Sequence, residues 1–296
     1  MASIGMIFAI KEKMMRRRYK FLGVLIGIAL FLVLGVIFAR KVYLERGVPR
    51  YDIAQWAETN EINKVLVIFA HQDDELLVAG TLAGLDLAGV ETMLLTLTNG
   101  DGSGAPGQST EDRIAERAAN LNNLAAVLQV DSVEQGFFSD SGFMDVSDDE
   151  IKQVILEIIN DYQPDTIITW DTVKGLYGHP HHIRVGQLVV ELCQENRENP
   201  EFPVDVVYGT TVSVWLREIL KQISPMYQEG YYRVNDEESV EPEFSLATSD
   251  FGDSRRAAFA VYAAEGAVQS LNPFSGSPML EDFVFDREYF YQSYGR

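Results

Sequence analysis

The sequence predicts an α/β protein in three layers, a mainly parallel sheet with helices on both faces, preceded by a single transmembrane helix. Three observations predict it. Short apolar runs alternate with helical stretches from residue 63 onward. The histidines and a carboxylate cluster sit just beyond two of those runs, where open parallel sheets place their ligands. Nineteen consecutive uncharged residues lie near the N-terminus. The expected layout is a basic segment 1–20, a transmembrane helix 21–39, a polar stalk 40–62 and one domain over 63–296.

Phe21 to Ala39 (FLGVLIGIALFLVLGVIFA) would span about 28 Å as a helix, close to the roughly 30 Å hydrocarbon core of a bilayer. A cleaved signal peptide is the rival reading. The apolar core exceeds the ~7–15 residues of such signals, and Phe38-Ala39-Arg40-Lys41 offers no small-x-small site, which favours an uncleaved anchor. Six basic residues precede the span closely and four follow it (Arg40, Lys41, Arg46, Arg50). That bias favours a cytoplasmic N-terminus and an extracytoplasmic domain.

The runs Lys64–Ala70, Glu91–Thr98 and Asp165–Trp170 read as strands buried on both faces. Helices are expected over 74–89, from Thr110 to Leu128, over Ile183–Asn196 and over Ser254–Val268. Ser147-Asp148-Asp149-Glu150 is a capping box, followed by Ile151, Val154, Ile155, Ile158, Ile159 and Tyr162 on one helical face. Val204–Trp215 is β-rich. The run 228–250 is acidic and irregular, and the Gly-rich loop DGSGAPGQS (101–109) reads as a flexible rim. The chain holds 24 Lys+Arg, 44 Asp+Glu and one cysteine, Cys193, in 296 residues. Eight basic residues and one acid fall in 1–41, so a net −20 divides into +7 on the head and −27 on the body. A basic nucleic-acid binder and a multi-cysteine metal site are excluded. Nothing in the sequence points to a protein partner. Cys193 reads as a small core residue, and Arg255-Arg256 as a solvated helix end.

All four histidines lie in two segments, His71 in AHQDDE and His179, His181 and His182 in GHPHH. His71 and Asp74 are three apart at a strand-to-helix turn, so both can face one centre. An imidazole from the second segment would complete a two-His, one-carboxylate site with an open position for water, as catalytic zinc requires. Fe(II), Mn and Co are alternatives. A carboxylate that is not a ligand can take the proton of an activated water, and Asp73 and Glu75 are candidates. No G-x-S-x-G elbow offers a serine nucleophile.

AHQDDE (70–75) resembles the AHPDDE motif of the PIG-L/LmbE family of metal-dependent de-N-acetylases, and GHPHH (178–182) resembles that family's GHPDH. The resemblance covers about 63–195. It implies a Rossmann-like fold and hydrolysis of an N-acetyl group from an amino sugar such as N-acetylglucosamine, releasing acetate. It assigns zinc to His71, Asp74 and His182, the general base to Asp73 and oxyanion stabilisation to His179. Tyr177 would assist at the oxyanion, and Arg117 would contact the sugar. Three positions depart from the family pattern. Gln72 replaces proline, which is expected to loosen the turn; His181 replaces an aspartate that orients the neighbouring histidine; Asn120 replaces a glutamate.

The expected function is thus a membrane-anchored zinc deacetylase acting on an N-acetylhexosamine in a surface glycan or lipid-linked sugar. An amidase for another amide (a thiol conjugate or an acylated lipid) and a non-catalytic, metal-stabilised glycan-binding module are the alternatives.

Overall fold

A computed structural model describes residues 2–102, 107–224, 240–263, 274 and 276–296. The chain divides into two units, Met1–Gly47 and Val48–Arg296. The first is a single helix, α1 (Ala2–Glu45). Its Tyr19–Glu45 stretch, whose most apolar 18 residues have a mean hydropathy of 3.0, is long and apolar enough to cross a membrane, and the nineteen-residue run lies inside it.

The second unit is a mixed sheet of eight strands with helices packed against it. In chain order its elements are β1 (Arg50–Tyr51), α2 (Ile53–Thr59), β2 (Lys64–Phe69), a 3₁₀ turn (Asp74–Val78), α3 (Ala79–Leu87), β3 (Glu91–Thr98), α4 (Thr110–Leu128), β4 (Ser132–Phe138) and α5 (Asp148–Tyr162). There follow β5 (Thr166–Trp170), a short kinked α6 (Gly175–Gly178), α7 (Pro180–Glu195), β6 (Val206–Thr211), α8 (Val214–Ile223), β7 (Phe244–Ala247), α9 (Gly252–Val261), α10 (Pro278–Val284) and β8 (Arg287–Gly295). The strand order is β1-β7-β8-β6-β5-β2-β3-β4. Every neighbouring pair is parallel except those that β8 makes with β6 and β7.

The central strands are buried because their runs are apolar on both faces: Val65 to Phe69 of β2 and all five residues of β5 are inaccessible. From β2 through β3 to β4 the chain steps one way across the sheet, and from β4 through β5 to β6 it steps back. Right-handed crossovers therefore place α3 and α4 on one face and α5 and α7 on the other. The packing agrees: α9 contacts both α3 and α4, while α5 packs on α7. Ser147 caps α5 by accepting from Glu150 N–H at 3.3 Å, and Ile151, Ile155, Ile159 and Tyr162 are its buried residues.

Several elements differ from the sequence reading. Residues 40–62, read as a stalk, hold the end of α1, then β1 and α2. Ile53, Trp56 and Ala57, spaced i, i+3, i+4, are buried, a helical period too short to stand out among polar neighbours. The β-rich run 204–215 becomes strand only to Thr211, and Ser213 then caps a helix that buries Trp215, Leu216 and Leu220. The acidic run 228–250 contains β7. Residues 225–239 and residues 103–106 of the Gly-rich loop lie outside the described residues, as does the expected helix beyond Ala263. Cys193 is buried in α7, as expected. Arg255 is not solvated: it is 2% exposed and donates to Phe285 O at 2.6 Å, a carbonyl that also accepts from Thr248 Oγ1 at 3.0 Å.

Gly186 sets the distance of α7 from the sheet. A Cβ there would stand 2.6 Å from Trp170 O and 3.2 Å from Asp171 O, both backbone atoms at the end of β5. Gly186→Ala is therefore expected to destabilise the domain by roughly 1–3 kcal/mol, as overpacking against rigid backbone does. Thermal melting checks this, each kcal/mol lowering Tm by about 2–4 °C in a domain of this size.

Candidate metal centre

The C-terminal ends of four adjacent strands, β5, β2, β3 and β4, bring the site together. The loop after β2 carries His71 to Asp74, that after β4 carries Asp140, and the segment after β5 runs from Asp171 into α7 with His179, His181 and His182. Thr98 ties β3 to this edge, donating from both N–H (3.0 Å) and Oγ1 (2.8 Å) to Ala70 O.

Asp74 stands at the start of the 3₁₀ turn and is 5% exposed. Its Oδ2 accepts from Ala70 N–H (3.2 Å), His71 N–H (2.9 Å) and Trp170 Nε1–H (3.2 Å). Burial alone would raise its pKa; His182 and His71 outweigh that and hold the carboxyl well below the usual range. Its Oδ1 lies 3.3 Å from His182 Nε2. His182 is 1% exposed, its ring stacked on Trp170 at 3.9 Å with a 5° interplanar angle. His182 Nδ1 sits 3.0 Å from Gly175 O, so Nδ1–H donates there and the Nε2 lone pair faces Asp74. Gly175 adopts φ +49°, and a Cβ on it would stand 2.4 Å from the Cβ of His182. Only glycine leaves that ring its place.

His71 Nδ1 lies 3.1 Å from His182 Nε2 and 3.5 Å from Asp74 Oδ2. The two ring nitrogens are thus 3.1 Å apart, with one oxygen of the Asp74 carboxylate (Oδ1) 3.3 Å from His182 Nε2 and the other (Oδ2) 3.5 Å from His71 Nδ1. A tetrahedral ion with bonds of 2.0–2.1 Å has ligand–ligand edges of about 3.3–3.4 Å, so the residues fit a metal ion of zinc's size. His71, Asp74 and His182 thus form a His-His-Asp group able to hold a metal.

Asp73 precedes it at φ +110°, a left-handed conformation that costs a non-glycine residue energy. Glu75 holds it there, accepting from Asp73 N–H at 3.0 Å while Tyr262 OH donates to its other oxygen at 2.6 Å. Burial pushes the Glu75 carboxyl up to about 8. Arg117 is 7% exposed; its Nη1 donates to Gln72 O at 2.7 Å and lies 3.4 Å from Asp73 Oδ2. The structure thus places Arg117 against the motif's own turn. Nor is that turn loosened at Gln72, whose side chain is 1% exposed and donates to Thr98 O at 2.9 Å. The amide replaces proline's rigidity with a tether to the end of β3.

His179 caps α7, its Nδ1 accepting from His181 N–H at 3.2 Å, which leaves the ring proton on Nε2. Burial, then the neighbouring His182 and His71, pushes its pKa down to about 2, so the ring is neutral. Tyr177 lies over the same cluster, its ring centroid 6.0 Å from that of His179 and 5.4 Å from that of His182.

Sequence reading missed Asp140. Its Oδ1 is 3.2 Å from His71 Nε2 and 3.3 Å from His181 Nδ1. The carboxylate absent at position 181 is therefore supplied from the loop after β4. The departure at 181 was the one signal for it. Burial of His71 would lower its pKa, but Asp74 and Asp140 outweigh that and push it up to about 10.

Fold and site together define a mixed α/β protein with a metal-binding His-His-Asp group at the carboxyl edge of its sheet. Residues 66–193 match the family model described as PIG-L, GlcNAc-PI de-N-acetylase. Two curated relatives are named 1D-myo-inositol 2-acetamido-2-deoxy-α-D-glucopyranoside deacetylase. That of Nakamurella multipartita is 32% identical over 157 residues, covering 43% of this chain and 53% of the relative. That of Rhodococcus opacus is 30% identical over 151 residues, covering 43% and 51%. The match thus spans about half the length of these relatives. Among solved structures, N,N′-diacetylchitobiose deacetylase from Pyrococcus horikoshii superposes with a TM-score of 0.56 at 18% identity, covering 86% of this chain and 91% of that one. A 4-carboxy-2-hydroxymuconate hydratase from Pseudomonas putida also superposes with a TM-score of 0.56, at 15% identity over 79% and 98%. The shared fold alone does not select the reaction.

Proposed function

We propose that this protein is a membrane-anchored, zinc-dependent hydrolase that removes the N-acetyl group from an N-acetylhexosamine in a surface glycan or lipid-linked sugar. The observation that carries the reading is the His71–Asp74–His182 triangle with an unligated carboxylate, Asp73, on the adjacent residue. The net reaction is addition of water to the acetamide, giving acetate and the free amine. A divalent ion in the triangle would supply Lewis acidity and bring the pKa of water from 15.7 towards ~7. Asp73 takes the proton from the attacking water and returns it to the departing amine. Neutral His179 presents Nε2–H to the oxyanion, with Tyr177 beside it, and Arg117 holds Asp73 and borders the sugar. The Rossmann-like domain, which begins at Val48 and not at residue 63, would stand outside the membrane on the span 21–39, with residues 1–20 in the cytoplasm; the surplus of basic residues before that span supports this orientation.

The test incubates the metal-loaded full chain with N-acetylated glycans and glycolipids and measures acetate and free amine together. Release from N-acetylhexosamines is expected; release only from thiol conjugates or acylated lipids would move the assignment to another amide, and no release with metal bound would overturn it.

Metal affinity should depend on pH. The metal-free His71, pushed up to about 10, binds a proton that an ion must displace. One proton is then released on binding, so affinity rises by up to about tenfold per pH unit between pH 6 and 9. Zinc Kd values at pH 6.5, 7.5 and 8.5 check this; a flat profile would contradict it.

A further inference from the structure

Asp140 and His181 meet at the edge of the His71 ring that faces away from Asp74. His71 Nε2 lies 2.9 Å from His181 Nδ1 and 3.2 Å from Asp140 Oδ1, and the last two atoms are 3.3 Å apart. This triangle closes on three single atoms, and its donors, two imidazoles and one carboxylate, are of the same kinds as those of His71, Asp74 and His182. We propose that His71 Nε2, His181 Nδ1 and Asp140 Oδ1 form a second divalent-cation site that shares the His71 ring with the first. The proposal rests on the reading that His71, Asp74 and His182 hold a metal.

The geometry supports a site built for an ion. All three side chains are largely buried, with 13–16% of their surface exposed, so neither nitrogen is freely hydrated. The Phe143 ring backs the His181 ring edge-on with centroids 5.1 Å apart and fixes its plane. The remaining Asp140 oxygen, Oδ2, lies against Gly102, where a Cβ would stand 2.3 Å from it. Two nitrogens and one oxygen suit Zn²⁺, Co²⁺ or Cu²⁺ rather than Mg²⁺ or Ca²⁺.

The chemistry of the shared ring sets the order of filling. With an ion on Nδ1, a neutral His71 keeps its proton on Nε2. A second ion displaces that proton to bulk water and leaves an imidazolate joining the two ions. The second ion therefore binds more weakly than the first. It also sits across a ring from the first, beyond the roughly 3.5–4 Å spacing of paired catalytic ions. Its role is regulatory: it makes His71 a stronger, anionic ligand and occupies the carboxylate that otherwise accepts from His71.

The experiment titrates the metal-free full chain, in detergent, with Co²⁺. Bound ions are counted by equilibrium dialysis and mass spectrometry, and electron paramagnetic resonance follows coupling between ions. Two Co²⁺ per chain are expected, the second quenching the resonance of the first through the ring. His181→Gln, which touches no atom of the first triangle, should bind one uncoupled Co²⁺; Asp140→Asn should do the same and controls for misfolding of either variant. A single ion in the wild type at saturation, or two in both variants, would overturn the second site while leaving the first intact. Binding of no ion would overturn both this inference and the proposed function.

Discussion

Asp73→Asn is expected to lower turnover of an N-acetylated sugar by roughly 10²–10⁴-fold, the contribution of a positioned general base. Metal content should not change, because Asp73 is not one of the three residues of the His71–Asp74–His182 group. The substitution keeps the shape of the side chain and removes its ability to hold a proton. Backbone strain does not confuse the outcome: Asp73 stands at φ +110°, and asparagine tolerates positive φ as well as aspartate does. Its N–H still donates to Glu75, so the turn keeps its tether. The measurement pairs acetate release with metal analysis on the same preparation. Full activity in a metal-replete Asp73→Asn protein would move the base to another group.

His182→Ala should remove metal and activity together. A partner standing behind a metal ligand is worth roughly 10–100-fold in affinity, and a ligand itself exceeds that. The substitution also empties a nearly inaccessible position beneath Trp170 and strands Gly175 O without its donor. An unpaired buried polar group costs about 1–3 kcal/mol. The expected signature is therefore double, a Kd for zinc raised by more than 100-fold and a lowered Tm even in the metal-free protein. Asp74→Asn should weaken metal binding too but destabilise less, since an amide oxygen can still accept from Ala70 and His71.

The parts of the site that lie close together in sequence were legible there. His71 and Asp74 converge because three residues at a strand-to-helix turn turn both side chains to one side. GHPHH announces itself by spending three of four histidines in four positions. The sequence could not reveal what those residues lean on. Asp140 reaches His71 across 69 positions of chain, and the acid-rich run that it opens, Asp140–Glu150, reads from sequence only as the approach to a capped helix. Trp170 was readable as the end of a strand but not as the surface on which His182 stacks. Gln72 looked like the loss of a rigid turn, whereas its amide becomes a buried tether. The fold shows the same division. The strands β2, β3 and β5 declare themselves by unbroken apolar runs. Strand β8 (REYFYQSYG) mixes charge, amide and tyrosine, and only its neighbours on either side make it a strand.

That last strand constrains how the domain is made. Strands β1 and β7 join the rest of the sheet only through β8. Residues 52–286 must therefore be synthesised between the first of these strands and the one that connects it, roughly 10–50 s at about 5–20 residues per second. From Thr211, where β6 ends, to Arg287, where β8 begins, β6 presents a bare edge of backbone donors and acceptors, a template for mispairing with other chains. The exposed stage in making this sheet is thus set by the order of its strands.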